Sequence, residues 1–307
     1  MPSMDLEEHR PRLTGYCYRL LGGGAETEDA VQETFVRAWR THDPERGPLT
    51  PWLYRLATTI CLDMLRGAQR RATAMDLSDP AAPGSPLGAP LPGSTWVGPF
   101  PDARLEPAAQ AETREDVRLA FVAALQTLPP RQRAVLILRD VLCWRAAEVA
   151  DLLDTTTASV NSALQRARAG LRRPEPLRPA DPAAVERYTR AFVEHDVATL
   201  VRMLHEDATT TMPPFAWWLR GAADIAAVVA NAPDSGCDDV RLIPTRANGQ
   251  PAFGQYRRIG DEYRPFALVV VEFSADRVVS TTTCLDPDLF GLFDLPMTFP
   301  TPARTSG

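Results

Sequence analysis

The strongest constraint on how this 307-residue chain folds is a break in its middle. Between residues 72 and 107 alanine, proline, glycine and serine dominate, and eight of the chain's 29 prolines fall there. Such a stretch cannot hold a long helix, nor bury enough apolar surface to order itself as a domain. The sequence predicts a flexible linker, with Trp96, Phe100 and Leu105 as candidate anchors. A second break, PEPLRPADP at 174–182, reads as a semi-rigid proline linker. Three folded parts remain, 5–71, 108–173 and 183–298, which suits a length too great for one ordinary domain.

The first part reads as helical. Leu13, Tyr16, Cys17 and Leu20 form a stripe that Gly22-Gly23-Gly24 ends. Thr27 is the expected N-cap of the next helix, with Glu28 and Asp29 in its first turn. Ala30, Val31, Thr34, Phe35, Ala38 and Trp39 are expected on its buried face, and Asp29, Gln32, Glu33 and Arg37 on the other. Asp43 to Pro51 reads as a loop, with Pro51 opening a helix that runs from Trp52 to Arg71. That helix mixes aromatic and basic residues, a combination suited to single-stranded nucleic acid: unpaired bases stack on rings while arginines hold the backbone. Trp52, Tyr54, Arg55, Thr58, Thr59, Asp63 and Arg66 lie on or beside the candidate surface; for Trp52 core packing is an equal alternative.

The second part has the pattern of a helix-turn-helix. Val135, Leu136 and Leu138 make a first core stripe, and Ala146, Val149, Ala150, Leu152 and Leu153 pack a scaffold helix. Asp154 takes the turn position, because Asp tolerates a left-handed backbone. Thr155 to Thr157 cap the next helix, which buries Val160, Leu164 and Ala167. Its exposed face carries Thr157, Ser159, Asn161, Ser162, Gln165, Arg166 and Arg168. Asn and Gln can pair with adenine edges while arginines hold phosphates.

Charge agrees with one basic part inside an acidic chain. The net charge is −6, yet nine arginines oppose five acids between Pro129 and Arg178. Every basic residue is arginine, which reads as codon bias. No apolar run suits a membrane span and the N-terminus shows no apolar signal segment, so the chain is expected in the cytoplasm. The five cysteines form no CxxC pair and are expected as buried free thiols, with no metal and no cofactor.

The third part changes character. A helix from Ala184 to Leu204 precedes strand-like runs at 208–212, 241–245, 252–258, 266–273 and 277–284, with a shorter helix at 222–230. This order predicts an α+β domain with a curved antiparallel sheet.

Several motifs carry a resemblance. Asp29, Gln32, Phe35 and Trp39 match the DxxQxxFxxxW pattern of the extracytoplasmic-function branch of the sigma-seventy family, and LPPRQRAVLILRD through SALQRARAGLR resembles its helix-turn-helix. The resemblance implies two all-α sigma domains, region two at 5–71 and region four at 108–173. It implies that Asp29, Gln32, Glu33 and Arg37 meet the β′ clamp of core RNA polymerase, with the β flap as a further partner. Trp52 to Arg66 would read the minus-ten promoter element, with the loop 43–50 as the pocket for a flipped base. Thr157 to Arg168 would read the minus-thirty-five element. Asn161 and Ala163 stand where that family commonly has lysine and arginine, which implies a distinct promoter sequence. TTTMPPFAWWLRG resembles SnoaL-like members of the nuclear-transport-factor-two fold, a cone with an apolar cavity. Met212, Phe215, Trp217, Trp218, Phe253, Tyr256, Phe266 and Phe273 would line that cavity, and a small apolar molecule is the ligand it would take.

Two rivals remain at this stage. One is a helix-turn-helix regulator that never joins polymerase. The other is a SnoaL-like isomerase or cyclase with a DNA-binding appendage, for which His205, Asp207 and Asp224 are candidate bases by type alone. A tail that docks on the sigma domains and regulates them is the expectation preferred here.

Overall fold

The structure, a computed structural model, describes residues 5–41, 48–105, 114–230 and 240–300. Two compact units emerge, one of residues 1–72 and 94–175, the other of 73–93 and 176–307. The segment expected as one linker is therefore divided between them.

The first unit is helical. Helix α1 (Arg10–Leu21) ends where Gly22 turns left-handed at φ 71° and returns its N–H to the Tyr18 carbonyl at 2.8 Å. Helix α2 (Gly24–Thr41) begins earlier than expected, so Thr27 is no cap. Thr27 is buried and its hydroxyl donates to the Gly23 carbonyl at 2.6 Å. Helix α3 (Leu49–Met64) starts behind extended Pro48, two residues before Pro51, and stops well short of Arg71.

Helices α4 (Leu119–Gln126) and α5 (Pro130–Leu136) follow, and α5 widens into a π-helical turn at Ile137–Val141. Helices α6 (Ala146–Leu152) and α7 (Thr157–Gly170) complete the helix-turn-helix. Asp154 holds the expected left-handed turn at φ 49°. The Thr156 hydroxyl caps α7 by accepting from the Ser159 N–H at 3.2 Å.

One hydrophobic cluster runs through all of these helices, from Leu13 and Tyr16 through Phe35, Leu53 and Ile60 to Leu136, Val149 and Leu164. Trp96, Phe100 and Leu105 are buried within this unit. The Tyr18 ring packs on Phe100 at 4.8 Å, and its hydroxyl donates to the Gly98 carbonyl at 2.8 Å.

Three polar side chains tie the halves of this core together. Arg133, 3% exposed, donates to the carbonyls of Leu20, of Gln126 at 3.2 Å and of Leu128 at 3.1 Å. The Gln126 amide donates to the Arg19 carbonyl at 3.3 Å. Arg19 donates to the carbonyls of Asp116 at 3.0 Å and Gly15 at 2.9 Å. At the end of α1 the Leu20 carbonyl is supplied by Arg133 and the Arg19 carbonyl by the Gln126 amide. Burial lowers the Arg133 pKa to about 10, with Arg70 adding to the effect, so the group stays charged at neutral pH.

The second unit is α+β. A helix expected over 184–204 breaks at His195 (φ 58°) into α8 (Pro182–Val193) and α9 (Val197–Met203), the latter capped by Asp196. Strands β1 (Leu204–Thr211), β2 (Trp218–Arg220), β3 (Val240–Ala247), β4 (Gln250–Ile259), β5 (Glu262–Ser274) and β6 (Arg277–Cys284) form one sheet in the order β2-β1-β6-β5-β4-β3, with β7 (Phe299–Pro300) beside β5. Strand β1 runs parallel to β6, and its other neighbour β2 is antiparallel. Helix α10 (Ala222–Ala230) packs on β1 and β2.

Strand β5 is buried on both faces. Ala267, Val269 and Val271 meet Tyr188 of α8, whereas Leu268 and Val270 meet Cys284 and Phe293. Part of the interdomain segment belongs here: the Ala81 N–H donates to the Trp218 carbonyl at 2.8 Å, and the Leu91 N–H to the Pro214 carbonyl at 2.8 Å. Edge strand β2 is thereby given hydrogen-bond partners by the chain itself.

Cys17, Cys61 and Cys284 are buried free thiols; Cys143 is exposed, against expectation, and Cys237 lies outside the described residues. No described helix is long and apolar enough to cross a membrane, and no described cluster suits a metal.

Arg133→Met is expected to destabilise the helical unit by about 3 kcal/mol, because it strands buried carbonyls that a charged donor now satisfies. Denaturant unfolding followed through the helical signal checks this; a loss below about 1 kcal/mol would mean that the network is ornamental.

Candidate nucleic-acid and partner interface

Helix α2 turns its polar face outward. Asp29, Gln32 and Arg37 are exposed, and Glu33 is half-buried and accepts from the Arg37 Nε at 2.6 Å. The buried stripe ends at Ala38. Trp39, expected within it, is 76% exposed. It follows Gln32 by two turns and so extends the same outward face, past the last turn that meets the core. An exposed tryptophan is unusual for a large apolar side chain and typical of a contact anchor.

Helix α3 departs further from the sequence expectation. Tyr54 and Thr58, expected on the nucleic-acid face, are 5% and 2% exposed. The Tyr54 ring lies between Tyr16, at 5.1 Å, and Trp144, at 5.0 Å. The Thr58 hydroxyl shares a 2.7 Å hydrogen bond with that of Tyr16. The cause is the width of the buried stripe: Leu53, Tyr54, Ala57, Thr58, Ile60 and Cys61 all face inward, since α3 is covered from two sides. Arg55, Thr59, Asp63 and Arg66 remain exposed at helical spacing. Arg55 donates to the Asp151 carbonyl, and Arg66 pairs with Asp63 at 3.2 Å. Trp52 is half-buried, with an indole N–H that finds no partner among the described residues. Of the loop 43–50, residues 43–47 lie outside the described residues.

Helix α7 fits its reading closely. Val160, Leu164 and Ala167 are buried, and Thr157, Ser159, Asn161, Ser162, Gln165, Arg166 and Arg168 are exposed. Arg166 Nη1 donates to the Ser162 hydroxyl at 2.8 Å. Arg168 forms a two-pronged pair with Asp140, at 2.7 and 2.9 Å, which raises its pKa. Arg133, counted among the basic residues of this part, is buried and belongs to the core. Its role was hidden because charge composition says nothing of direction; the run of apolar residues from Ala134 to Leu138 around it was the available signal.

The aromatic residues expected around one tail cavity divide into separate clusters. Met212, Phe215 and Trp217 pack with Ala208, Leu219 and Ile225. Phe253, Phe266 and Phe273 pack with Tyr188, and Tyr256 packs with Tyr263 and Phe290. The Trp218 indole donates to the Ser78 carbonyl at 2.9 Å. The Tyr188 ring lies 6.2 Å from Phe253 and 6.0 Å from Phe273, and burial pushes its hydroxyl pKa up. Arg257 lies over the Phe266 ring at 3.4 Å. His205 and Asp207 are exposed and Asp224 half-buried, so these three acid–base candidates do not share an apolar pocket.

Comparison with known proteins places the chain in a family. Three family models match the chain: Sigma-70 region 2 at residues 6–71, Sigma-70 region 4 at 118–171, and a SnoaL-like domain at 185–281. The ECF RNA polymerase sigma factor SigG of Mycobacterium tuberculosis is 42% identical over 96% of this chain and 84% of its own length. The ECF RNA polymerase sigma factor SigJ of the same species is 32% identical over 69% of this chain and 64% of its own. A crystal structure of M. tuberculosis SigJ shares the fold, with a TM-score of 0.63 and 24% identity over 95% of this chain and 99% of that one.

Substitutions in α7 are expected to separate two effects. Arg166→Ala should weaken duplex binding about evenly across sequences and reduce its salt dependence, whereas Asn161→Ala or Gln165→Ala should change sequence preference, at about 1–3 kcal/mol per lost base contact. Binding selection from random duplexes at two salt concentrations reads both, and an Arg166 variant altered in preference alone would reverse the assigned orientation.

Proposed function

The chain belongs to the extracytoplasmic-function branch of RNA polymerase sigma factors, with a SnoaL-like C-terminal domain, and from that membership we propose a specific division of labour among its surfaces. Sigma factors of this kind bind core RNA polymerase and promoter DNA and are not enzymes. The α2 face of Asp29, Gln32, Glu33 and Arg37, with Trp39 as its apolar anchor, docks on the β′ clamp. The polar groups set register and the tryptophan supplies buried area. Region four docks on the β flap and presents α7 to the minus-thirty-five element. The exposed α3 stripe of Arg55, Thr59 and Asp63, with Arg66 just beyond the helix and Trp52 at its border, meets the minus-ten element. The protein works in the cytoplasm, where its polymerase is.

One observation carries the rest of the reading: the buried Tyr54 ring packs in tilted contact with both Tyr16 of region two and Trp144 of region four. A ring held in that way is not available to an unpaired base. The described arrangement is closed, and minus-ten reading by Tyr54 requires the two regions to part.

The tail acts as a regulator and not as a catalyst. Support comes from the chain path, because residues 73–93, which join region two to region four, fold with the tail. A tail that holds this segment limits how far the segment can extend when the regions part. The scattered positions of His205, Asp207 and Asp224 favour this over the isomerase reading, and the clamp face favours it over a regulator that works without polymerase.

The double change Asp29→Ala and Gln32→Ala, and separately Trp39→Ala, are expected to weaken core polymerase binding about tenfold or more without changing thermal stability. Affinity capture with core enzyme, alongside a melting curve, measures this; unaltered affinity in both variants would remove the clamp assignment. Ending the chain after Asp181 is expected to change run-off transcription while α7 still binds duplex. Identical rate, promoter choice and salt dependence in the truncated and full chains would make the tail a bystander.

A further inference from the structure

Inside the helical unit lies a cavity of about 310 Å³ that draws its walls from both sigma regions. Gly15 and Arg19 of α1 and Tyr54 of α3 come from one side, and Val141, Leu142 and Trp144 from the other. The volume lies at the lower end of the range for small-molecule sites. Its lining is largely apolar and aromatic, with two arginines in the wall, Arg12 exposed at the surface and Arg19 buried. Arg19 is 4% exposed and makes its two described hydrogen bonds through Nε and Nη1, both to backbone carbonyls. Among the described residues its Nη2 has no hydrogen-bond partner, and no carboxylate lies within ion-pair distance of it. Burial lowers the Arg19 pKa, and the Asp116 charge offsets part of that shift from beyond ion-pair distance.

Gly15 widens the space beside this charge. It sits inside α1, where glycine costs about 1 kcal/mol relative to alanine. A Cβ at that position would come within 3.1 Å of Arg19 Nη1 and 3.7 Å of the Leu105 side chain.

We propose that this cavity binds a small aromatic or aliphatic carboxylate, its anion on the Arg19 guanidinium and its apolar body against Tyr54, Leu142 and Trp144, and that binding holds the sigma regions together. A carboxylate there would compensate the buried charge with charge-assisted hydrogen bonds. Because the walls come from both regions, parting them dismantles the site. A ligand can therefore bind only the closed form, and it shifts the equilibrium away from the promoter-binding form. This second element rests on the reading that minus-ten recognition requires the regions to part.

The test uses the full chain and naphthalene-1-carboxylate as probe, with naphthalene-1-carboxamide as its neutral isostere. Calorimetry is expected to give one saturable site, with the carboxamide bound at least tenfold more weakly. Leu142→Trp, which fills the cavity from its half-exposed rim, is expected to abolish binding of both. Absence of binding by the wild-type chain, equal affinity for the two probes, or undiminished binding by the Leu142 variant would each overturn the site. In a run-off assay with core polymerase, saturating carboxylate is expected to lower transcription by the wild type several-fold and to leave the Leu142 variant unaffected. Binding without that effect would overturn the link between the ligand and the closed form. Transcription without probe reports independently that the chain works as a sigma factor, so failure of one claim is distinguishable from failure of the other.

Discussion

A guanidinium buried among carbonyls organises the helical unit. Taking an ion out of water costs several kcal/mol unless its donors are satisfied. Arg133 answers most of that cost through Nη1 and Nη2, which donate to carbonyls from three places, Leu20 at the end of α1, Gln126 at the end of α4 and Leu128 in the turn before α5, while its Nε has no partner among the described residues. The interaction serves both sides, since a helix end without partners is itself unfavourable when buried. The end of α1 and the start of α5 are therefore held at one point. The core that forms around that point is continuous across two regions which family models treat separately.

That continuity shapes what each motif is able to do. The polar face of α2 and the exposed face of α7 point away from the shared core, so both are presentable as they stand. Helix α3 is different, because its aromatic residue is shared. Tyr54 contributes to the core through Tyr16 and Trp144, and it is also the residue type that unpaired bases stack on. The seam around it is not purely apolar. It holds tilted aromatic contacts, the Arg55 bond to the Asp151 carbonyl, and a cavity beside Arg19. These contacts, which DNA or water can replace, sit beside the apolar cluster that the two regions share.

The tail solves a different problem. Its sheet has an edge at β2, and the chain covers it with its own residues 78–91 through the Ala81 and Leu91 amides, Ser78 and the Trp218 indole. The proline-rich segment needs no core of its own because it borrows one. The middle of the sheet is conventional: β5 is apolar on both faces, and the β1–β6 junction is closed by threonine pairs, Thr210 with Thr281 at 2.7 Å and Thr211 with Thr282 at 3.3 Å.

What the sequence determined by itself was whatever depends on near neighbours in the chain. Helical period, the Gly22 stop and the Asp154 turn are set by backbone preferences over a few residues, and each was legible. The outward faces of α2 and α7 followed from the same periodicity, and the motifs they carry led to the family. Only the tertiary structure decided the fate of residues whose environment comes from far away. Trp39 looked like core until the helix outran its neighbours, and Tyr54 and Thr58 looked like surface until a second region covered them. Arg133 looked like one more charge of a basic segment until the carbonyl of Leu20, more than a hundred residues earlier, claimed it. The linker at 73–93 looked free until a strand at 218–220, itself unforeseen, offered its edge. The physical reason is common to all four. Local pattern fixes which way a side chain points along its own element, but burial depends on what lies opposite, and that partner is chosen by long-range packing.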